Sequence, residues 1–288
     1  MSPIYKPSEL RLFLNQLGIF PKKGLSQNFL IDGNIIRKIV SASGVQPNET
    51  VLEIGPGPGS LTQALLEAGA QVVAVEKDEV LAQALERLNT PAEQLSIFCQ
   101  DIMTFPFKDI LPPRLKEGQR AKVIANLPYH LTTPILSTLV PHTALFSSLT
   151  VMVQEEVARR MTASPGSSDY SSLTVFLHFY SNPRYAFTVS RNCFYPAPKV
   201  DSAIVVLELK EPPLAIQEQD SFFKMTRTAF EHRRKMLRAS LKPLFDSQAV
   251  SKALEAIGQD PLARPEMLSL EDFVQLYHQL KASSSNAL

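Results

Sequence analysis

The chain has 288 residues and is 44% hydrophobic, enough for one large domain plus a smaller one and too apolar for a disordered protein. A net charge of +1 excludes a globally basic nucleic-acid binder, so any such footprint is local. Two distant cysteines, Cys99 and Cys193, exclude a disulfide framework and a cysteine zinc site, and no metal is expected.

The amino terminus interleaves Lys6, Glu9 and Arg11 with apolar residues and lacks a signal-peptide core. No apolar run approaches the length of a membrane span. A cytoplasmic protein with no membrane partner is expected. Thr50 to Ile54 reads as a strand and Ser60 to Ala68 as a helix, joined by Gly55-Pro56-Gly57-Pro58-Gly59. A glycine-rich βα turn lets a ligand approach the backbone. This one has the spacing G-x-G-x-G, and Pro56 and Pro58 carry no N–H. A loop so poor in donors suits a nucleoside without phosphates better than a dinucleotide. S-adenosylmethionine is such a ligand.

Gln71 to Val75 is a second strand, with Glu76 at its end and a helix from about Val80 to Leu88 after it. An acid about 20 residues after the glycine loop is placed to hold ribose hydroxyls. Asp78 suits the cap of the following helix, which leaves Glu76 to the ligand. Leu95 to Cys99 is a third strand, and Asp101 after it is placed to accept from an adenine amine, or else to cap a helix.

Lys122 to Ala125 is a fourth strand, ending at Asn126-Leu127-Pro128-Tyr129. An amide, a rigid turn and an aromatic ring at the carboxyl end of a strand suit a flat base with an exocyclic amine. Asn126 and a backbone carbonyl accept from the amine, and Tyr129 stacks on the ring. Leu149 to Val153 is a fifth strand, leading into a helix over Glu155 to Met161. The βαβα rhythm indicates an α/β, mostly parallel Rossmann-like sheet with helices on both faces. Leu173 to Tyr180, Tyr185 to Val189 and Ser202 to Leu209 read as an antiparallel addition to it.

Glu211-Pro212-Pro213 marks a linker, dividing a domain of residues 1–211 from a small all-α domain of residues 212–288. Lys224, Arg227, Arg233, Arg234, Lys235, Arg238 and Lys242 crowd one segment with Glu231 the sole acid among them. Helical spacing puts Arg227, Arg234 and Arg238 on one face away from Phe222, Met225 and Ala229. Such a face tracks phosphates, although many similar runs are merely solvated.

These motifs resemble, in order, those of the small-subunit ribosomal RNA adenine dimethyltransferases, the RsmA/KsgA family. The resemblance runs from about Lys22 to Leu241. It rests on Lys22 to Leu30, Glu53 to Gly59, Glu76, Gln100-Asp101, Asn126 to Tyr129, Met152 to Ala158, Phe194 to Ala203 and Arg233 to Leu237. The chain departs from the family pattern at Gly24-Leu25-Ser26, at His130 and at Ser171-Ser172. The resemblance implies a class I methyltransferase that uses S-adenosylmethionine to dimethylate N6 of two adjacent adenosines in a hairpin near the 3′ end of the RNA. Its partner is then small-subunit ribosomal RNA or a pre-30S particle, and the enzyme a monomer. The implied cofactor contacts are Asn28, Leu30, Gly55, Gly57, Glu76, Asp101 and Asn126. Phe194 is implied to close the base pocket opposite Tyr129. Lys22, Lys23, Arg227, Arg233, Arg234, Lys235 and Arg238 are implied RNA contacts. The competing readings are a macrolide-resistance-type enzyme acting on large-subunit RNA, a non-catalytic RNA-binding factor on the same fold, and a nicotinamide dehydrogenase.

Overall fold

The computed structural model describes residue 4 and residues 7–19, 28–89 and 94–285. In chain order the elements are α1 (Pro7–Gln16), β1 (Phe29–Leu30), α2 (Gly33–Ser43), β2 (Thr50–Ile54), α3 (Ser60–Glu67), β3 (Gln71–Glu76), α4 (Glu79–Leu85), β4 (Leu95–Cys99), α5 (Phe107–Ile110), β5 (Ala121–Asn126), α6 (Thr132–Leu139), β6 (Phe146–Gln154) and α7 (Glu155–Met161). There follow α8 (Ser172–Tyr180), β7 (Ser181–Val189), β8 (Phe194–Tyr195), β9 (Ser202–Leu209), α9 (Ile216–Glu231), α10 (Leu237–Ser240), α11 (Ser247–Ala256) and α12 (Leu270–Ser285).

Seven strands form one sheet in the order β4-β3-β2-β5-β6-β9-β7. The five from β4 to β6 are mutually parallel, and β9 runs antiparallel to β6. All five residues of β2 are buried, as expected of a parallel strand covered on both faces. Its Val51 packs with Val72, Ala74 and Ile124 of neighbouring strands and with Ile36, Ile39, Leu65 and Leu85 of the helices. Strand order reverses at β2, which lies between β3 and β5. That switch opens a crevice at the carboxyl ends of β2 and β5, where open α/β sheets bind ligands.

Gly59 begins α3 with φ +84°, and a Cβ there would lie 2.7 Å from Leu85 Cδ2 and 2.8 Å from Leu88 Cδ1. Left-handed strain and overpacking therefore add. Gly59→Ala is expected to destabilise the chain by about 2–4 kcal/mol in urea unfolding. A change under about 0.5 kcal/mol would show that the loop relaxes without cost.

The chain forms two compact units, Met1–Ala158 with Pro183–Lys210, and Arg159–Asn182 with Glu211–Leu288. The chain passes into the second unit after Lys210, and Arg159–Asn182 also belongs to that unit. The reason is local. Leu173 to Tyr180, expected as a strand, is helix α8. Ser171 and Thr174 form a capping box, with Ser171 N–H donating to Thr174 Oγ1 at 3.0 Å. A short apolar run reads alike as strand or buried helix, and the cap decides it. Phe179 then sits 5.2 Å from Phe222 and 4.8 Å from Phe223 between ring centroids, in an aromatic core that Phe176 and Tyr277 extend.

The helix expected to carry the basic face is also shorter than the spacing suggests. α9 stops at Glu231, where His232 leaves the helical region at φ −125°, ψ 66°. Arg233 turns aside to donate to the carbonyls of Ser167 and Ser168. Arg227 lies on α9, Arg234 in the connecting turn and Arg238 on α10, so the three share no helical face.

Candidate active site

A cavity of about 230 Å³ occupies the crevice at the carboxyl ends of the parallel strands. Asn28, Leu30, Gly55, Gly57, Glu76, Asp101, Asn126, Leu127, Pro128 and Tyr129 all line it. Residues far apart in the chain are brought together: those from Gly55 to Tyr129 end or follow strands of the seven-stranded sheet, and Asn28 and Leu30 come with β1 of the separate β1–β8 pair.

The glycine loop has no backbone donor left to offer from residues 55 to 59. Pro56 and Pro58 lack an N–H. The Gly55 N–H donates to the Val75 carbonyl at 2.9 Å, Gly57 to Glu76 Oε2 at 3.0 Å, and Gly59 to the Pro56 carbonyl at 3.0 Å. All three glycines have positive φ, which is what turns those N–H groups inward. Behind the loop, Arg87 donates to the Pro58 carbonyl and lies 4.6 Å over the Phe13 ring of α1.

Glu76 is buried and is not left wholly to a ligand. Its Oε2 holds Gly57 and its Oε1 accepts from the Asp78 N–H at 2.9 Å. Each oxygen keeps one further lone pair. Burial raises its pKa, the backbone N–H groups of Asp78, Gly57 and Lys77 oppose that rise, and the Asp78 carboxylate adds to it. Asp78 caps α4 as expected, accepting from Val80 and Leu81. Asp101 is engaged as well. Its Oδ2 pairs with Lys77 at 2.8 Å and its Oδ1 accepts from the Met103 N–H at 2.9 Å. Those two donors hold its carboxyl below the usual range.

At the end of β5, Asn126 Nδ2 donates to the Asn28 carbonyl at 3.1 Å, which leaves Oδ1 as the acceptor on that amide. The Leu127 N–H is fixed to the Met152 carbonyl at 3.1 Å. The Pro128 carbonyl already accepts twice, from the Leu131 N–H at 2.9 Å and from Thr132 Oγ1 at 3.3 Å. With both its lone pairs used, the backbone acceptor for a base amine narrows to the Leu127 carbonyl. The Tyr129 hydroxyl lies 2.8 Å from Ser202 Oγ, and burial raises its pKa.

Phe194 is not among the residues that line the cavity. It is 3% exposed and pairs across β8 with Leu30 of β1, in a core with Ile36, Met152 and Ile204. Lys22 and Lys23 lie outside the described residues. Lys224, Arg227, Arg234 and Lys235 are exposed. Among the described residues no group of three or more acidic, histidine or cysteine side chains is arranged to hold a metal. No helix among them is long and apolar enough to cross a membrane.

One cavity residue entered the sequence reading only as the first residue of the glycine-loop motif, with no role of its own. Glu53, in β2, is fully buried beside Glu76, and neither carboxyl oxygen meets a hydrogen-bond partner. Burial pushes its pKa up to about 8, the Thr62 hydroxyl opposing and Glu76 adding to the rise. The signal was present: a charged residue inside an otherwise apolar strand immediately before the glycine loop.

The model of the ribosomal RNA adenine dimethylase family matches residues 21–282. The chain is 75% identical to the ribosomal RNA small subunit methyltransferase A of Protochlamydia amoebophila, over 98% of this chain and 99% of that one. It is 47% identical to the Chlamydia caviae protein of the same name, over 98% of each. Among solved structures it resembles a dimethyladenosine transferase from Plasmodium falciparum, with TM-score 0.75 and 26% identity over 89% of this chain and 98% of that one. The 23S rRNA methyltransferase ErmE is similar too, with TM-score 0.69 and 26% identity over 88% and 100%.

Proposed function

The chain belongs to the ribosomal RNA adenine dimethylase family and dimethylates adenine in small-subunit ribosomal RNA; from that premise we propose how its own residues do so. S-adenosylmethionine occupies the cavity and supplies a methyl group activated on a positively charged sulfonium. The product is N6,N6-dimethyladenosine at two adjacent adenosines of one hairpin. The acidic lining and the donor-free glycine loop both support this ligand over a dinucleotide, whose pyrophosphate needs N–H groups. Glu76 uses its remaining lone pairs on the ribose. Asp101 lies at the adenine end, where accepting an amine proton requires it to share or release Lys77.

The observation that carries the reading is the paired acceptor at the end of β5. Asn126 and Leu127 both line the cavity, the anchor on Asn28 leaves Asn126 Oδ1 as the amide's acceptor, and we assign that oxygen and the Leu127 carbonyl to N6 of the target adenine. The N6 lone pair of adenine is delocalised into its ring. Two acceptors on the N6 hydrogens favour a pyramidal nitrogen with a localised lone pair, and more so in the transition state than before it. A neutral amide does this without an added buried charge. Tyr129 stacks on the base once it has left its own stack.

The test is mass spectrometry of ribosomal RNA from cells with and without the protein. Dimethyladenosine in the small-subunit RNA is expected to vanish with the gene. Disappearance from the large-subunit RNA instead would favour the macrolide-resistance type of enzyme. Exclusively monomethyl product under excess cofactor would contradict the assignment.

On the RNA side, we place Arg227, Arg234 and Lys235 against phosphates, as exposed cations of the second unit. Replacing all three by Gln is expected to weaken binding to small-subunit particles and leave cofactor affinity intact. The slope of log affinity against log salt is expected to become shallower by roughly 0.7–0.9 for each phosphate no longer neutralised. Superimposable salt titrations would assign these residues to solvation alone. Arg233 is left out of this variant because it braces the 167–168 turn.

A further inference from the structure

Three acids line the cavity, and Glu53 differs from the other two. Glu76 holds two backbone N–H groups, and Asp101 holds Lys77 and one N–H. Glu53 is fully buried with neither oxygen in a well-formed hydrogen bond, and its one polar neighbour that favours the charged form is the Thr62 hydroxyl. An ionised carboxylate in that position would be desolvated, unpaired and beside a second acid, three conditions that each favour the neutral form.

Among the described residues the surroundings supply no cation that would reverse this. β3 contributes Glu76 and, just beyond it, the capping Asp78. α3 contributes the hydroxyl of Thr62, and Ser60 lines the same cavity. β5 contributes the neutral Ala125 and Asn126. Lys77 is committed to Asp101, and the exposed His130 lies at the rim. The rise of its pKa to about 8, caused first by burial, agrees with this geometry.

We propose that Glu53 is the counter-charge for the cofactor, entering the binding step as a neutral acid and losing its proton as the cationic ligand fills the cavity. The proposal rests on the cavity being the S-adenosylmethionine site. The Glu53 O–H bond breaks heterolytically, the electron pair stays on the carboxylate, and the proton passes to buffer. S-adenosylmethionine carries a sulfonium, an ammonium and a carboxylate, one positive charge in all. Filling the cavity also expels water, which strengthens attraction between that charge and the new carboxylate.

The sign follows from linkage. In the empty protein the pKa is raised from 4.5 to about 8. Below the ordinary value the buried neutral acid costs no ionisation. As pH rises toward 8, the unfolded state releases a proton that the folded state retains, and stability falls. Cofactor binding runs the other way. Affinity rises with pH by up to about tenfold per unit, and levels off above about pH 8.

The experiment is calorimetric titration of the full chain with S-adenosylmethionine in buffers of different ionisation enthalpy, near neutral pH. Wild type is compared with Glu53→Gln. The amino group of the ligand titrates too, but it contributes alike to both proteins. Wild type is expected to release close to one proton more per cofactor than Glu53→Gln, and its log affinity to rise more steeply with pH. Equal proton counts with binding retained would overturn the proposal and leave the site reading standing. Failure of wild type to bind at all would overturn both. Infrared difference spectra of wild type alone cover the case of a variant that does not fold. Disappearance of a protonated-carboxyl band on adding cofactor is expected, and an unchanged band would overturn the proposal.

Discussion

Asn126→Ala is expected to lower the single-turnover methylation rate by about 10²–10³-fold, the scale of removing one preorganised polar group from a transition state. Affinity for RNA particles is expected to change by less than roughly threefold, under ~1 kcal/mol. The split follows from geometry. Asn126 sits at the floor of the crevice, and its amide is aimed by the Asn28 carbonyl at 3.1 Å. On the proposed reading it meets N6 only after the base has entered, so it is expected to contribute little to capture of the RNA and much to the barrier. Rapid-quench assays with saturating enzyme measure the rate, and particle binding is measured separately. A rate within a few-fold of wild type would remove Asn126 from the chemistry and leave the Leu127 carbonyl as the sole acceptor.

Glu76→Ala is expected to weaken S-adenosylmethionine binding by at least ~1.5 kcal/mol, or more than about tenfold. It is also expected to lower stability by roughly 1–3 kcal/mol, because Gly57 and Asp78 lose the acceptor for their N–H groups. The two effects separate in Glu76→Gln, whose side-chain oxygen keeps one of those backbone bonds at most. Calorimetry and thermal melts on both variants measure them. A folded Glu76→Ala protein with unchanged cofactor affinity would take Glu76 out of the ligand shell and leave it as a brace for the loop.

Much of the parallel sheet was legible because its signals are local. Thr50 to Ile54 and Leu95 to Cys99 are apolar runs bounded by turn residues, and both are strands with the expected limits. The acid at the end of β3 and the amide at the end of β5 announced themselves by type and spacing. What failed depended on contacts distant in sequence. Leu173 to Tyr180 is helical because of Ser171 and because Phe222 and Phe223 await it in the second unit. The basic run breaks at His232 because Arg233 finds carbonyls 65 and 66 residues earlier. The pairing of Phe194 with Leu30 of β1 was likewise not legible from its motif. Glu53 was given no role beyond its place in the motif because a strand residue is ordinarily read as packing, and its burial without a well-formed hydrogen bond is visible only in the structure.

The glycine loop also bears on inhibitor design. With every N–H from Gly55 to Gly59 either absent or committed, the loop gives no anchorage to the diphosphates, sulfonates and carboxylates that serve well against nucleotide-binding enzymes. Acidic walls would repel the same groups. Compounds for this pocket should therefore be neutral or cationic nucleosides. The choice builds in selectivity, since a scaffold stripped of anionic handles forfeits the interactions by which kinases and dehydrogenases hold their own ligands.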